Sequence, residues 1–230
     1  MDNRKVAIID FGMGNLFSVK NVCQLVGLDA VITSSRLEVE AAQAVILPGV
    51  GAFGKAMETL QKYDLIDAIK DSVAQGKPFV GICLGLQLLM SESEEFGRHK
   101  GLDIIKGSVI RFNNMDDKIT RFKVPHVGWS AIRLPSLSIT PWAQSMLAAI
   151  EPGQYMYFVH SYYVQPSDEK MVLSTTEYGG IQFCSSIQYK NIFACQFHPE
   201  RSAEQGLAIY KNLAQVLQEK YERKINVRKS

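Results

Sequence analysis

Short apolar runs alternate with helical patterns in the N-terminal part of this sequence, and that alternation limits the fold more than any other feature. The apolar runs have the length and β-branched content of buried strands: KVAIID (5–10), AVITSS (30–35), a run within AAQAVILPG (41–49) that ends at Pro48, and KPFVGI (77–82). The helical patterns are LFSVKNVCQLV, KAMETLQKY, DLIDAIKDSVAQG and LGLQLLM. Strands and helices in this order form a parallel sheet with right-handed crossovers. We therefore predict an α/β fold with a mostly parallel central sheet flanked by helices.

The second half of the chain has a different pattern, in which short β-type runs are separated by turn residues. The runs are SVIRF, HVGWSAIRL, YMYFVHSYYVQ, MVLSTTEY, IQFCSSIQY and IFACQFH. They predict an additional antiparallel β layer, interrupted by a helix over PWAQSMLAAI (141–150) and followed by a helix over SAEQGLAIYKNLAQVLQEKY. Because the sequence has no internal repeat or low-complexity segment, we expect a single domain over residues 1–230, with a frayed basic end at 221–230.

Charge and cysteine usage exclude several classes of protein. A net charge of +2 gives no basis for a nucleic-acid or membrane partner. The start MDNRKVAIID has too short an apolar run for a signal peptide, so we expect a cytoplasmic protein with reduced thiols. The cysteines form no C-x-x-C pair, so we predict no metal site.

Cys83 lies in VGICLGLQLLM (80–90), where a strand pattern changes into a helix pattern. A residue at such a turn is often held in a strained backbone conformation, and the neighbouring Gly81 and Gly85 remove side chains that would clash. This is the arrangement of a nucleophile elbow, with sulfur in place of the serine oxygen. The other interpretation is a buried cysteine that packs as a small hydrophobic residue. The glycines favour the nucleophile, provided that the chain also supplies a base.

A second glycine-rich turn, GVGAFG (49–54), matches the dinucleotide fingerprint G-x-G-x-x-G. A dinucleotide site also requires an acidic residue at the end of the next strand, whereas Asp64, Asp67 and Asp71 lie in a helical pattern. The turn is better suited to present backbone N–H groups as half of an oxyanion hole beside Cys83. A tight turn that needs glycine torsion angles is a structural explanation compatible with that use.

The candidate base is His198, in CQFHPERS (195–202). An apolar strand leads to this histidine, Pro199 ends the strand, and Glu200 follows. A cysteine nucleophile needs a base to take the thiol proton and an acid to orient that base, and this segment supplies both. A single histidine is more often a surface or satisfied core residue, and spacing alone does not establish that His198 meets Cys83.

Two aromatic stretches contain further candidates. VPHVGW (124–129) carries Trp129, which is a candidate interface anchor because tryptophan is enriched at binding hot spots. YFVHSYY (157–163) places the polar Ser161 among aromatic rings, where it is a candidate for lining a pocket. Core packing explains most of the other aromatic residues in these stretches.

The motif G-I-C-L-G-x-Q, followed 115 residues later by F-H-P-E, resembles the paired motif of the class I, triad-type glutamine amidotransferases. The resemblance covers nearly the whole chain. PGVGAF, VPHVGW and YFVHSYY are most similar to the glutaminase subunits of imidazole glycerol phosphate synthase, which acts in histidine biosynthesis. The resemblance implies a flavodoxin-like domain that takes glutamine as its substrate and needs no cofactor.

The resemblance also implies a role for each residue of the site. Cys83 is the nucleophile, His198 the general acid and base, and Glu200 the group that orients the histidine. Backbone N–H groups that hold the oxyanion belong to Val50, Gly51 and Leu84. The amino-acid end of glutamine is held by Gly49, Gly51, Gln87, Ser161 and Tyr162.

A partner is implied as well, because a separate glutaminase subunit has no acceptor site of its own. The expected partner is a (β/α)₈-barrel cyclase that forms a heterodimer with the chain and receives ammonia through a dry channel. The candidates for the docking surface are His126, Trp129 and Tyr157. Since leaked ammonia wastes glutamine, we expect the lone subunit to be nearly inactive, with the peptide at Val50 turned away from the oxyanion until the partner and its ligand bind.

Two other functions stay open on the sequence alone. One is a glutaminase for another acceptor, such as pyridoxal phosphate synthase or a sugar-amination paralogue, which copurification with that synthase would reveal. The other is a catalytically silent α/β scaffold or thiol sensor, in which a glutamine-mimicking electrophile would label Cys83 no better than iodoacetamide. The presence of Cys83, His198 and Glu200 together argues against the second alternative.

Overall fold

A computed structural model describes residues 5–113, 122–136 and 140–229 of the chain. The parallel strands are β1 (Lys5–Ile9), β2 (Asp29–Thr33), β3 (Ala44–Gly49), β4 (Phe79–Cys83) and β13 (Ile192–Cys195). Two antiparallel strands, β11 (Val172–Tyr178) and β12 (Ile181–Tyr189), extend one edge. Together they form a seven-stranded sheet in the order β11-β12-β13-β4-β3-β1-β2. The prediction of a mostly parallel central sheet is confirmed.

Helices cover both faces of this sheet. They are α1 (Leu16–Leu25), α2 (Arg36–Ala41), α3 (Phe53–Lys62), α4 (Leu65–Ala74), α5 (Leu84–Leu88) and α6 (Ala203–Lys229). Side chains alternate along β1, so that Val6 and Ile8 pack with α1 and α6 while Ala7 and Ile9 pack with α3 and α4. Burial of both faces explains why the strands of the parallel region are continuous apolar runs. In the part of the chain that the structure describes, no helix is long and apolar enough to cross a membrane.

The additional β layer consists of two small sheets. Its strands are β5 (Glu92–Ser93), β6 (His99–Lys100), β7 (Gly107–Arg111), β8 (His126–Ala131), β9 (Tyr155–His160) and β10 (Tyr162–Pro166). The order β10-β7-β5-β6 forms one sheet, in which only the β5–β7 pair is parallel. Strands β8 and β9 form a separate antiparallel pair, here called the β8–β9 ribbon. The predicted antiparallel layer is therefore present only in part. Three of the runs assigned to it form β11, β12 and β13 of the central sheet, where β13 is parallel to β4.

The prediction of a helix over residues 141–150 is wrong, since only a 3₁₀ turn at Trp142–Gln144 forms there. The amide of Asn212 donates hydrogen bonds to the carbonyls of Met146, at 3.0 Å, and Ala148, at 2.9 Å. A side chain from α6 thus binds carbonyls of this segment and stabilises an irregular path, which overrides the local helical preference.

The end of the chain also differs from the prediction. Helix α6 continues to Lys229, whereas frayed residues were predicted from 221 onward, and residue 230 lies outside the described residues. The segment 221–229 contains no Gly or Pro and is rich in Glu, Lys and Arg. These residues favour a continued helix.

Candidate active site

The chain turns sharply at Cys83, where β4 ends and α5 begins. Cys83 has φ 52° and ψ −104°, a conformation that costs ~1–3 kcal/mol for a residue with a side chain. A Cβ on Gly85 would overlap the carbonyl oxygen of Leu47, and one on Gly81 would lie 3.0 Å from the Cβ of Ala194. The two glycines therefore allow α5 to pack closely on the sheet, and the predicted elbow is confirmed.

His198 follows β13, the strand that pairs with β4, and so reaches the same edge of the sheet as Cys83. Its Nδ1 lies 2.8 Å from Oε1 of Glu200, and both side chains are almost fully buried. The other ring nitrogen, Nε2, makes no hydrogen bond of normal geometry within the described residues and faces Cys83. Ser202 holds the turn, since its hydroxyl donates to the His198 carbonyl at 2.6 Å and accepts from the Tyr157 N–H at 3.0 Å. The structure thus brings the three predicted triad residues together.

Opposing influences act on the imidazole of His198. Burial lowers its pKa, but the charge and close approach of an ionised Cys83, together with the hydrogen bond and charge of Glu200, raise it to about 10 from 6.5. A charged Glu200 and an ionised sulfur thus stabilise the protonated ring. An imidazolium next to a cysteine is the pairing that activates cysteine nucleophiles.

A cavity of about 390 Å³ opens onto Cys83, and its size is within the usual range for small-molecule sites. Its lining includes these predicted oxyanion and substrate residues: Val50, Gly51, Leu84, Gln87, Ser161 and Tyr162. Gly49 does not line the cavity. It is buried at the end of β3, where a Cβ would lie 2.7 Å from Cζ of Phe11. The requirement for glycine at position 49 therefore comes from packing. Gly49 lies opposite Cys83 in the pairing of β3 with β4, and its contact with substrate stays a prediction.

Gln196 contributes to the site and was missed by the sequence analysis. Its amide nitrogen lies 3.6 Å from the Cys83 sulfur, and its amide oxygen accepts a hydrogen bond from Gln87 at 3.2 Å. Gln87 in turn donates to the carbonyl of Tyr162 at 2.9 Å. A usable signal existed, because Gln196 is a polar residue in an apolar strand run, two positions before His198. Residues two apart in an extended segment point to the same side.

Glu95 is the second residue that the sequence analysis missed. It lines the cavity and accepts a hydrogen bond from the backbone N–H of Phe53 at 2.5 Å. It is half-buried and supplies a carboxylate to a wall formed mostly by apolar residues and backbone. No sequence signal distinguishes it, since it lies in the polar run SESEE beside other acidic residues.

The β8–β9 ribbon separates the predicted docking residues into two groups. Trp129 is 50% exposed, and its ring centroid lies 6.0 Å from that of Tyr157, which the guanidinium of Arg201 covers at 4.6 Å. His126 is only 1% exposed, so its assignment to a docking surface is wrong. Positions 126 and 129 differ by an odd number, so their side chains point to opposite faces of a strand.

An α/β sheet with a cysteine elbow, a buried histidine–carboxylate pair beside it and a cavity that opens onto the cysteine defines a class of hydrolytic enzymes with a cysteine nucleophile. The family described as Glutamine amidotransferase class-I matches residues 7–215. The chain belongs to this family.

Curated relatives place the chain in one branch of the family. The chain is 46% identical over 93% of its length to "Imidazole glycerol phosphate synthase subunit HisH" of Moorella thermoacetica, with 96% of that protein covered. The subunits HisH of Chlorobaculum tepidum and Geobacter sulfurreducens are each 44% identical, over 91% and 92% of this chain and 99% of each relative. The branch is therefore that of the HisH subunits.

Solved structures support the fold independently of close sequence similarity. A crystal structure of a glutamine amidotransferase matches 93% of this chain and 98% of its own, with a TM-score of 0.66 and 16% identity. The structure of PurLQS from Thermotoga maritima matches 94% of this chain and 99% of its own, with a TM-score of 0.68 and 14% identity. At these identities the comparison concerns the fold alone.

Proposed function

We propose that this chain is the glutaminase subunit of an imidazole glycerol phosphate synthase. It hydrolyses glutamine to glutamate and ammonia in the cytoplasm, and the ammonia passes to a (β/α)₈-barrel cyclase subunit. The observation that carries the proposal is the buried His198–Glu200 pair beside Cys83, which opens onto a cavity, in a chain of the HisH branch.

The first half of the reaction transfers the glutamyl group to sulfur. The Cys83 thiolate attacks the side-chain amide carbon of glutamine, so that a C–S bond forms and the carbonyl electron pair moves to oxygen. Backbone N–H groups of Leu84 and of the Val50–Gly51 turn stabilise that oxyanion. When it collapses, the C–N bond breaks and the His198 imidazolium gives its proton to the leaving nitrogen, which departs as ammonia.

The second half releases glutamate. His198, now neutral, takes a proton from water, and the resulting hydroxide attacks the thioester carbon. The C–S bond breaks, glutamate leaves, and the thiolate–imidazolium pair is restored. Glu200 accepts the Nδ1–H throughout, which keeps Nε2 directed toward the reacting atoms.

The cavity supports recognition of an amino acid. Glu95 offers a negative charge for the α-ammonium group of glutamine, and its carboxylate is already held by the Phe53 N–H. Backbone groups of Ser161 and Tyr162 lie on the same wall and suit the α-carboxylate. An ion pair and hydrogen bonds inside a partly closed cavity give both orientation and specificity.

The outer face of the β8–β9 ribbon is our candidate docking surface. Val127, Trp129 and Tyr155 expose 56%, 50% and 58% of their surface, and they share this face with the half-buried Tyr157. Val159 belongs to the same face and also lines the cavity, so the surface continues to the site where ammonia forms. An exposed aromatic patch next to the cavity at Cys83 suits a partner that must receive ammonia without loss to water.

The test is glutamate release from glutamine by the chain alone, with the cyclase barrel, and with the barrel and its phosphorylated ligand. Cys83→Ala is the control. We expect near silence alone, strong activity in the full mixture and none in the variant, in agreement with a peptide at Val50 that turns only in the complex. No release in any mixture, with barrel binding demonstrated by calorimetry, would overturn the glutaminase assignment. Failure to bind the barrel would overturn the choice of synthase.

A further inference from the structure

The β8–β9 ribbon carries two buried histidines on the face opposite to Trp129. His126 and His160 are directly opposite each other in the strand pairing, and His126 Nδ1 lies 3.1 Å from His160 Nε2. They expose 1% and 6% of their surface. Neither takes part in the chemistry proposed above, although His160 also lines the cavity.

The hydrogen-bond partners of the two rings determine where each proton lies. The carbonyl of Tyr162 can only accept, so His160 Nδ1, at 2.9 Å, must donate to it. A neutral imidazole has a single N–H, so His160 Nε2 accepts from His126 Nδ1–H. His126 Nε2 is then the acceptor for the hydroxyl of Ser130 at 2.9 Å. Burial keeps both rings neutral, since it lowers the pKa of His126 to about 4 and is the largest cause that lowers the pKa of His160 to about 3.

The hydrogen bonds continue from the Tyr162 carbonyl to the nucleophile. The same carbonyl accepts from the amide of Gln87, whose nitrogen also donates to the amide oxygen of Gln196. That orientation leaves the Gln196 nitrogen directed at the Cys83 sulfur. An N–H donor stabilises a thiolate, whereas a rotated amide would place its oxygen against the negative charge.

Aromatic packing holds the histidine pair in place. The ring of His126 is stacked on Phe158 at 4.9 Å and on Tyr178 at 3.9 Å, measured between centroids. Phe112 packs against His160 at 5.2 Å. The rings therefore have little freedom to turn away from their hydrogen-bond partners.

We propose that His126 and His160 are positioning residues for glutamine hydrolysis, because they fix the Tyr162 carbonyl and thereby the amides of Gln87 and Gln196 against Cys83. This inference rests on the proposed glutaminase function. Tyr162 lines the cavity, so the same pair also fixes one of the residues proposed above to contact glutamine.

Two substitutions of one residue separate positioning from packing. In His160→Asn the amide nitrogen can replace Nδ1 and still donate to the Tyr162 carbonyl. In His160→Leu the side chain has a suitable size for the apolar surroundings but has no donor. A purely structural role predicts that Leu is tolerated at least as well as Asn in both stability and activity. A positioning role predicts the opposite order for activity, even if Leu is the more stable variant.

We would measure kcat and KM for glutamine in the complex with the cyclase barrel, and thermal unfolding of each variant. His99→Leu, which removes a histidine outside this set of bonds, is the matched control. We expect kcat/KM to fall about tenfold in His160→Leu, the loss expected for one hydrogen bond, and several-fold less in His160→Asn. Activity of the Leu variant equal to or above that of the Asn variant would overturn the proposal.

A second readout needs neither glutaminase activity nor the partner. The rate of Cys83 alkylation by iodoacetamide reports the state of the sulfur, with Cys83→Ala used to subtract labelling of the other cysteines. We expect slower alkylation in His160→Leu than in His160→Asn. If Cys83 is alkylated more slowly in His160→Leu than in His160→Asn but the chain has no glutaminase activity, the positioning role of the two histidines is supported and the proposed function is overturned. If glutaminase activity is present and alkylation rates are equal, the positioning pair fails and the function stands.

Discussion

Nδ1 of His198 lies 2.8 Å from Oε1 of Glu200, and the two side chains are only 6% and 2% exposed to solvent. A buried carboxylate that accepts this N–H fixes both the tautomer and the direction of the ring. The remaining nitrogen is then available to Cys83 alone. The geometry gives each of the three residues a separate task and makes each task testable.

Replacing Glu200 by Gln should lower glutaminase kcat by a factor on the order of 10³. The amide has nearly the same shape but no charge, and it can present an N–H to Nδ1, which favours the wrong tautomer of His198. Steady-state glutamate release in the complex with the cyclase barrel measures the effect. KM should change much less than kcat, and a variant with normal kcat would show that Glu200 does not orient the ring.

His198 should make the stability of the chain depend on pH. Its pKa is raised from 6.5 to about 10 in the folded protein. A pKa that is raised on folding adds to the free energy of unfolding. This contribution is fully present below pH 6.5 and is lost as the pH rises toward 10. Denaturant unfolding of the wild type and of His198→Gln should therefore differ most near pH 6 and least near pH 10. A difference that grows with pH would contradict the protonated ring.

Cys83→Gly should be more stable than Cys83→Ala, although neither can hydrolyse glutamine. The residue has φ 52°, which glycine adopts without strain and alanine does not. We expect a difference of about 1 kcal/mol in the free energy of unfolding, measured in urea. Both variants lack the sulfur, so the comparison isolates the backbone. Equal stabilities would mean that the elbow relaxes when the thiol is removed.

Trp129→Ala should weaken binding of the cyclase barrel by about 2 kcal/mol or more, as for an aromatic hot spot. The side chain is half exposed, so its removal should leave the thermal unfolding of the lone chain nearly unchanged. Calorimetric titration with the barrel measures the change. Leu37→Ala removes a side chain that is 76% exposed on α2 and serves as the control. An equal loss for the two variants would place the interface elsewhere.

The sequence predicted best those features that depend on local backbone requirements. Gly81 and Gly85 indicated the elbow at Cys83, because only glycines permit the close approach of α5 to the sheet. His198 was identified because an apolar strand ended at Pro199 with a carboxylate behind it. In both cases the signal lay within a few residues of the functional group.

Features that depend on distant contacts could not be predicted in the same way. The 141–150 segment has a helical pattern, but its carbonyls are bound by Asn212 from α6. Glu95 reaches the cavity only because of the path of its loop. Its carboxylate is held there by the backbone N–H of Phe53, at the start of α3. The burial of His126 was predictable from strand alternation, whereas its bond to His160 required knowledge of the pairing of two strands.

The β8–β9 ribbon has one further consequence. Its outer face carries Trp129 and its inner face carries His126, and both side chains are attached to the same strand. Because the ribbon is a single layer of two strands, any displacement of its outer face also displaces its inner face. A partner that shifts the ribbon by a fraction of an ångström would move the histidine pair and the Val159 carbonyl, which faces the Cys83 sulfur at 3.9 Å. Communication between the docking surface and the nucleophile therefore needs no long relay through the core.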